Sequence, residues 1–245
     1  MTMTKAVSIT CRLHILLTNK HIKGALQMIR HLINEWIKIK EANLIKEINK
    51  ITAIRPGTDE DGLVEVDNPT DLTLLYCHEK YAVFRLDANR SIKIYAKKGE
   101  AEQEYRIMQL GAERGISPNV YDWGPNFLVT ELIKAPTIAQ YLEANTLTKE
   151  LTERLIQLLD DLEEAGVSSN QALEDIFLLP DGSLRAINIK TNLDKNPLFP
   201  KKMIKGMGNQ FGTFLQYVKE IDGALFRIWS SQPDFITYVE KKNEE

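Results

Sequence analysis

The sequence has few of the residues that build disulfide or metal sites. Its two cysteines, Cys11 and Cys77, are far apart and form no CxxC pattern, which argues against a disulfide framework and a cysteine-based zinc site. Of the 4 histidines, His21 and His31 are not spaced to share a metal on one helical face. We therefore expect both cysteines to be small apolar residues in a reducing compartment.

Long apolar runs and an excess of one charge are also missing. No stretch approaches the roughly 18 uncharged apolar residues of a membrane-spanning helix. Arg12 and His14 interrupt the apolar start of the chain, and no small-residue cleavage site follows, so no secretory signal is predicted. A net charge of −3 gives no reason to expect nucleic-acid binding. The sequence thus predicts a cytoplasmic protein without a nucleic-acid partner or membrane insertion.

The residues that are present suit a sizeable folded body. The chain has 245 residues, of which 43% are hydrophobic and 27% charged, enough for one large domain or two lobes. Near the start, helical periodicity predicts an amphipathic helix over 22–48 that packs on the body or on a partner. Its apolar stripe consists of Ile22, Leu26, Ile29, Ile33 and Ile37. Turn formers and acids then predict a linker over 55–62.

Beyond the linker, the pattern changes from strands to helices. Short β-type runs, a helix from Glu100 to Leu110 and two further β-type runs extend to Ile133. A long helix capped by Thr148, a hairpin and a late helix follow. This order predicts an α+β fold with two lobes and a ligand cleft between them. We assign 1–62 to a helical extension and linker, 63–133 to the N-lobe and 134–245 to a short helical C-lobe.

Lys93 and Glu104 form the most informative pair of residues. Lys93 alternates with Ile92 and Ile94 along a predicted strand, so its side chain is on the opposite face. Glu104 precedes an apolar pair at helical spacing and so adjoins the packing face of the next helix. A lysine and a glutamate in these settings predict an ion pair that positions nucleotide phosphates.

With these two residues and the element order around them, the chain from Leu63 to Trp229 resembles the protein-kinase-like superfamily, in particular small bacterial Ser/Thr-kinase-related proteins. The resemblance implies a two-lobed fold with an N-terminal helical extension and a short C-lobe. It also implies that Thr130 is the gatekeeper and that Glu131 to Ile133 form the hinge that binds adenine through the backbone. ATP with Mg²⁺ or Mn²⁺ is the implied ligand, although the sequence itself requires no cofactor.

The phosphate loop departs from the family pattern. Counted back from Val83, the three glycines of the family fall at Tyr76, His78 and Tyr81, and none is glycine. Glycines let backbone N–H groups come close to phosphates. We expect the larger side chains to fill that space and to weaken triphosphate binding.

The catalytic positions depart from the pattern as well. Alignment on the late hairpin places Asn170 at the catalytic base, Asp175 at the metal-binding asparagine and Asn188 at the metal-binding aspartate. An amide does not act as a base, and it is a weaker magnesium ligand than a carboxylate. Glu174 is the candidate substitute acid, and Asp175 is the remaining carboxylate that could hold a cation.

These departures favour a catalytically degenerate, pseudokinase-like protein that acts by binding a protein partner or, weakly, a nucleotide. A second hypothesis is an atypical ATP-dependent Ser/Thr kinase or small-molecule phosphotransferase that uses Lys93, Glu104 and Asp175. A third is a structural or assembly protein whose cleft is occluded. The sequence leaves the oligomeric state open.

Overall fold

The computed structural model describes residues 26–32, 34–35, 42–54, 62–191 and 198–244. The chain divides into a smaller unit of residues 1–52 and 67–70 and a larger unit of residues 53–66 and 71–245. The predicted lobe boundary at 133 falls inside the larger unit, so the division into two lobes stays a prediction. In the described part of the chain, no helix is long and apolar enough to cross a membrane.

The smaller unit is helical at 26–32, 34–35 and 42–48, which agrees with the predicted helix where it is described. Leu26 and Ile29 are 53% and 49% exposed, and the docking of their stripe on the body or on a partner stays a prediction. The other stripe residues, Ile22, Ile33 and Ile37, are outside the described residues, as is the predicted linker up to residue 61.

A five-stranded antiparallel sheet dominates the first half of the larger unit. A separate two-stranded sheet consists of β1 (Thr52–Ile54) and β2 (Glu65–Asp67). The five strands have the spatial order β3-β4-β5-β7-β6. Their bounds are β3 Thr73–Cys77, β4 Tyr81–Arg85, β5 Arg90–Tyr95, β6 Val120–Trp123 and β7 Phe127–Glu131.

The central strand β5 and the helix that follows it carry the site. Residues of β5 from Ser91 to Tyr95 are buried on both faces, as expected for a middle strand rich in β-branched and aromatic residues. Helix α1 (Glu100–Ala112) begins after Gly99, whose φ of 91° suits glycine. It buries Ile107 and Met108, which confirms the predicted packing face next to Glu104.

The rest of the larger unit is mainly helical. Its α-helices are α2 Ile138–Ala144, α3 Lys149–Glu164, α4 Lys201–Gly206, α5 Phe211–Ile221, α6 Gly223–Ser230 and α7 Pro233–Glu244. The Thr148 hydroxyl accepts from the Leu151 N–H, so the predicted cap of α3 is confirmed. The leucines of α3 join Phe214 and Trp229 in the core. The mixed helix-and-sheet class predicted from the sequence is confirmed.

A short two-stranded hairpin lies between α3 and α4 along the chain. Strands β8 (Ile176–Leu178) and β9 (Leu184–Ala186) are antiparallel, and Ile176 is opposite Ala186. The Ile187 N–H then donates to the Asp175 carbonyl at 2.8 Å. The residues just before β8 and just after β9 are therefore held at one end of the hairpin.

Candidate functional site

Sheet register brings a lysine and two tyrosines to one face. Tyr81 on β4 is directly opposite Tyr95 on β5, and Val83 is opposite Lys93. Because alternate residues share a face, Tyr81, Lys93 and Tyr95 point the same way, and Tyr81 is a diagonal neighbour of Lys93. The Lys93 ammonium is 4.5 Å from the centre of the Tyr81 ring, within range of a cation–π contact.

Helix α1 supplies the counter-charge. Lys93 Nζ donates to Glu104 Oε1 at 2.5 Å, and the two side chains are only 10% and 17% exposed. The Tyr95 hydroxyl donates to Glu104 Oε2 at 2.5 Å, so both carboxylate oxygens are satisfied. The predicted Lys93–Glu104 ion pair is confirmed, and it is buried rather than a surface pair.

Asn188 reaches the same cluster from the end of the hairpin. Its φ is 55°, in a left-handed region that asparagine tolerates better than most residues. Its Oδ1 accepts from the Tyr81 hydroxyl at 2.8 Å and from Lys93 Nζ at 3.3 Å. Its Nδ2 donates to Asp175 Oδ1 at 2.7 Å. We refer to Lys93, Glu104, Asn188, Asp175, Tyr81 and Tyr95 as the Lys93 cluster.

The hydrogen bonds of the Lys93 cluster fix the orientation of the Asn188 amide. An ammonium only donates, so the atom that faces Lys93 must be the amide oxygen. The amide nitrogen then faces the Asp175 carboxylate, which accepts. Lys93 itself faces three acceptors, namely Glu104 Oε1, Asn188 Oδ1 and the Tyr81 ring. Its three N–H bonds are therefore matched inside the protein.

Burial and ion pairing shift the pKa values of Lys93 and Glu104. Burial is the largest single influence on the pKa of Lys93 and lowers it, but the charges and hydrogen bonds of Glu104 and Tyr81 together raise it more. The net pKa therefore lies above the ordinary value. Burial is likewise the largest single influence on the pKa of Glu104 and raises it, but the charge and hydrogen bond of Lys93, the Tyr95 hydrogen bond and the His78 charge together lower it more. The net pKa therefore lies below the ordinary value. Both groups are thus held in their charged forms at neutral pH.

The pKa values of the other titratable residues of the Lys93 cluster are raised. Burial raises the pKa of Asp175, against the effect of the Asn188 hydrogen bond. Burial also raises the pKa values of Tyr81 and Tyr95. Both hydroxyls therefore remain donors over the whole ordinary pH range, as the contacts to Asn188 and Glu104 require.

The three residues predicted to stand at the glycine-loop positions differ in burial. Tyr81 is 5% exposed and its ring occupies the Lys93 cluster. His78 stacks on Tyr81 with ring centres 4.7 Å apart, and burial lowers its pKa. Tyr76, in contrast, is 55% exposed. Tyr76 is opposite Val83, which is opposite Lys93, and its ring centre is 6.4 Å from that of His78. That these three side chains fill a phosphate space stays a prediction.

Asn170 is not joined to the Lys93 cluster by a hydrogen bond between described residues. Its Oδ1 accepts from the Lys202 backbone N–H at 3.0 Å, so this amide satisfies a backbone donor at the start of α4. Glu174 is exposed beside Asp175. The structure thus gives Asn170 a structural partner, and it leaves Glu174 as a solvated carboxylate.

The residues predicted to be the gatekeeper and the hinge are on β7 and just after it. Thr130 is buried, with its hydroxyl 3.2 Å from that of Ser91. The Glu131 N–H donates to the Asn119 carbonyl at 2.9 Å, and the Glu131 carboxylate accepts from the Asn119 side chain at 3.0 Å. The backbone of half-buried Ile133 forms no hydrogen bond with another described residue. Adenine binding by this segment stays a prediction.

The Asp175 and Asn188 side chains do not fit a magnesium ion in this arrangement. Magnesium needs oxygen ligands that converge on one point. Here the amide nitrogen of Asn188 faces Asp175, and the amide oxygen faces two donors instead. Among the described residues, no group of three or more His, Cys, Asp or Glu side chains could hold a metal ion.

Sequence reasoning missed the partners that complete the cluster. Tyr95 follows Lys93 by two residues, so the period-2 pattern of β5 already placed both on one face. The contact from Tyr81 to Asn188 joins residues 107 positions apart, and no local pattern signals it. The Asp175–Asn188 bond was also missed, although the hairpin between them keeps both at one end.

No protein-family model matches the chain, and no curated protein shows significant similarity to it. Among solved structures, it is similar to the Rio2 kinase–ADP/Mg²⁺–phosphoaspartate complex from Chaetomium thermophilum, at 11% identity and a TM-score of 0.40. The match covers 60% of this chain and 56% of that chain.

Proposed function

We propose that this chain is a catalytically degenerate kinase-like protein that acts by binding a protein partner and does not carry out ordinary phosphoryl transfer. The kinase-like part of the proposal is supported by the order of elements: an antiparallel sheet with Lys93 on its central strand, Glu104 on the next helix, and a later hairpin that returns Asn188 to that lysine.

The observation that carries the loss of activity is the bonding of the two amides. Asn170 accepts from the backbone of Lys202, and Asn188 bridges Asp175 to Lys93. Phosphoryl transfer depends on positioning and charge stabilisation. Two amides that are engaged in internal hydrogen bonds supply neither a proton acceptor nor a negative charge that would hold a metal ion.

The position of Tyr81 favours a protein in which the nucleotide site is occluded. Its ring covers the Lys93 ammonium and its hydroxyl bonds Asn188. A phosphate group that approached Lys93 would have to displace one of three existing acceptors. The structural or assembly role weighed from the sequence therefore shares its main support with the inactive-kinase role.

The enzymatic alternative retains one observation in its favour. The buried Lys93–Glu104 pair has the geometry that positions phosphates in kinases, and Asp175 remains a carboxylate next to it. An atypical phosphotransferase would use these three residues, with Glu174 as the base. It would also have to move Tyr81 out of the cluster.

A partner role is supported by apolar surface on the edge of the sheet. Leu74, Leu75 and Tyr76 are exposed in succession on β3, an edge strand without a charged residue. Uncharged apolar edges are unusual in isolated proteins because they invite pairing with another chain. The chemistry of this edge fits a protein partner rather than a polyanion.

Calorimetric titration with ATP in the presence of Mg²⁺ or Mn²⁺ tests the proposal. We expect little or no heat of binding up to millimolar nucleotide and almost no rise in melting temperature, because a ligand stabilises the native state only in proportion to its occupancy. A dissociation constant in the micromolar range would overturn the proposal and favour the phosphotransferase.

A further inference from the structure

We propose that the side-chain amide of Asn188 replaces a divalent cation, so that the Lys93 cluster is stable without metal and a single carboxylate at position 188 would create a need for one. This inference deepens the proposed function and rests on the loss of metal-dependent phosphoryl transfer. It concerns the same residues, but it predicts a property of the folded protein without any nucleotide.

The first step of the argument is the direction of the hydrogen bonds. Asn188 presents a donor to the acidic side of the cluster, where Nδ2 is 2.7 Å from Asp175 Oδ1. It presents an acceptor to the basic side, where Oδ1 is 2.8 Å from the Tyr81 hydroxyl and 3.3 Å from Lys93 Nζ. Asparagine carries both a donor and an acceptor at this position, which aspartate in its ionised form does not.

The second step is the charge balance. The cluster contains one cation, Lys93, and two carboxylates, Glu104 and Asp175, so its formal charge is +1 − 2 = −1. A carboxylate at position 188 would make it −2 and would place two carboxylate oxygens at the present 2.7 Å contact. Like charges at this separation repel strongly in a partly buried setting. The amide avoids this repulsion by turning the contact into a hydrogen bond.

The third step is what would relieve the repulsion. A divalent cation between two carboxylates restores attraction, and magnesium and calcium are commonly bound in this way with waters in the remaining positions. The left-handed backbone at residue 188 tolerates aspartate about as well as asparagine. The Asn188→Asp substitution therefore changes charge and donor capacity without imposing a new backbone conformation.

The test is thermal unfolding of the full chain with EDTA, Mg²⁺, Ca²⁺ or Mn²⁺, at constant pH and matched ionic strength. We expect the wild-type melting temperature to be the same in all four solutions. Asn188→Asp should melt several degrees lower in EDTA and regain roughly 2–4 °C or more with a millimolar divalent cation.

The matched control is the double exchange Asp175→Asn with Asn188→Asp. It keeps one carboxylate and one amide at positions 175 and 188 and leaves the charge of the cluster unchanged, so it should melt independently of metal. If Asn188→Asp does not fold in EDTA, the inference still requires that a divalent cation restores its folding and that the double exchange folds without one.

Three outcomes would overturn the inference. They are stabilisation of the wild type by a divalent cation, metal independence of Asn188→Asp, and metal dependence of the double exchange. Because no nucleotide is present, these outcomes are separate from the fate of the proposed function. Micromolar ATP binding by a wild type that ignores metal would overturn the proposed function alone.

Discussion

At the scale of single residues, the proposed function depends on which groups surround the ammonium of one buried lysine. Lys93 has a carboxylate, an amide oxygen and an aromatic ring around its ammonium. The sequence predicted the first of these partners because the lysine and the glutamate occupy a strand and the next helix. It did not predict the other two, because their contacts depend on sheet register and on a hairpin far along the chain.

A double-mutant cycle measures how tightly this lysine is held. Lys93→Met leaves Glu104 buried without its counter-charge and should lower the free energy of unfolding by about 3–5 kcal/mol. The double variant Lys93→Met with Glu104→Met should cost clearly less than the sum of the two single changes. Denaturant unfolding provides the values. Additive effects, or a loss below about 1 kcal/mol for Lys93→Met, would indicate an exposed pair instead.

Acid titration provides a second measurement at this scale. The folded-state pKa of Glu104 lies below its ordinary value of 4.5, so the unfolded chain binds the proton more tightly. The stabilisation from Glu104 is therefore complete above that ordinary pKa and is lost as pH falls through the lower folded value. We expect Glu104→Gln to lose less stability than the wild type between neutral pH and acid pH. Parallel stability curves for the two proteins would contradict this.

At the scale of elements, the sequence predicted the strands, the main helices and the late hairpin, since alternation, periodicity and turn residues are local signals. It did not separate the roles of residues on the β3–β4 hairpin. Tyr76 and Tyr81 were expected to act together. The edge position of β3 exposes Tyr76, whereas the register of β4 against β5 buries Tyr81 next to Lys93.

Substitutions on this hairpin test whether Tyr81 closes the site. Tyr81→Ala should lower the free energy of unfolding by about 3–5 kcal/mol, as for other buried aromatic residues. It should also raise the affinity for ATP, because one acceptor of Lys93 is removed. Tyr76→Ala is the matched control and should change neither quantity, within about 0.5 kcal/mol for stability. Calorimetry and denaturant unfolding give both values, and an unchanged affinity in Tyr81→Ala would show that Tyr81 does not close the site.

At the scale of the whole molecule, the predicted mixture of helix and sheet agrees with the structure, while the predicted division at 133 remains untested. What the sequence could not predict is the set of hydrogen-bond partners of Asn170 and Asn188. The kinase resemblance predicts that amides stand where the family has two acids, but it does not predict that those amides have internal partners. Asn170 accepts a hydrogen bond from a backbone N–H at the start of α4. Asn188 donates to Asp175 and accepts from Lys93.

Transfer of labelled γ-phosphate tests the central claim most directly. The acceptors should include the protein itself, generic protein substrates and small alcohols, each with Mg²⁺ and with Mn²⁺. We predict no transfer by the wild type above the level of Lys93→Met, because the amides at the proposed base and metal positions are engaged in internal hydrogen bonds. Transfer by the wild type that disappears in both Lys93→Met and Asp175→Ala would contradict the account and make Glu174 the first base to test.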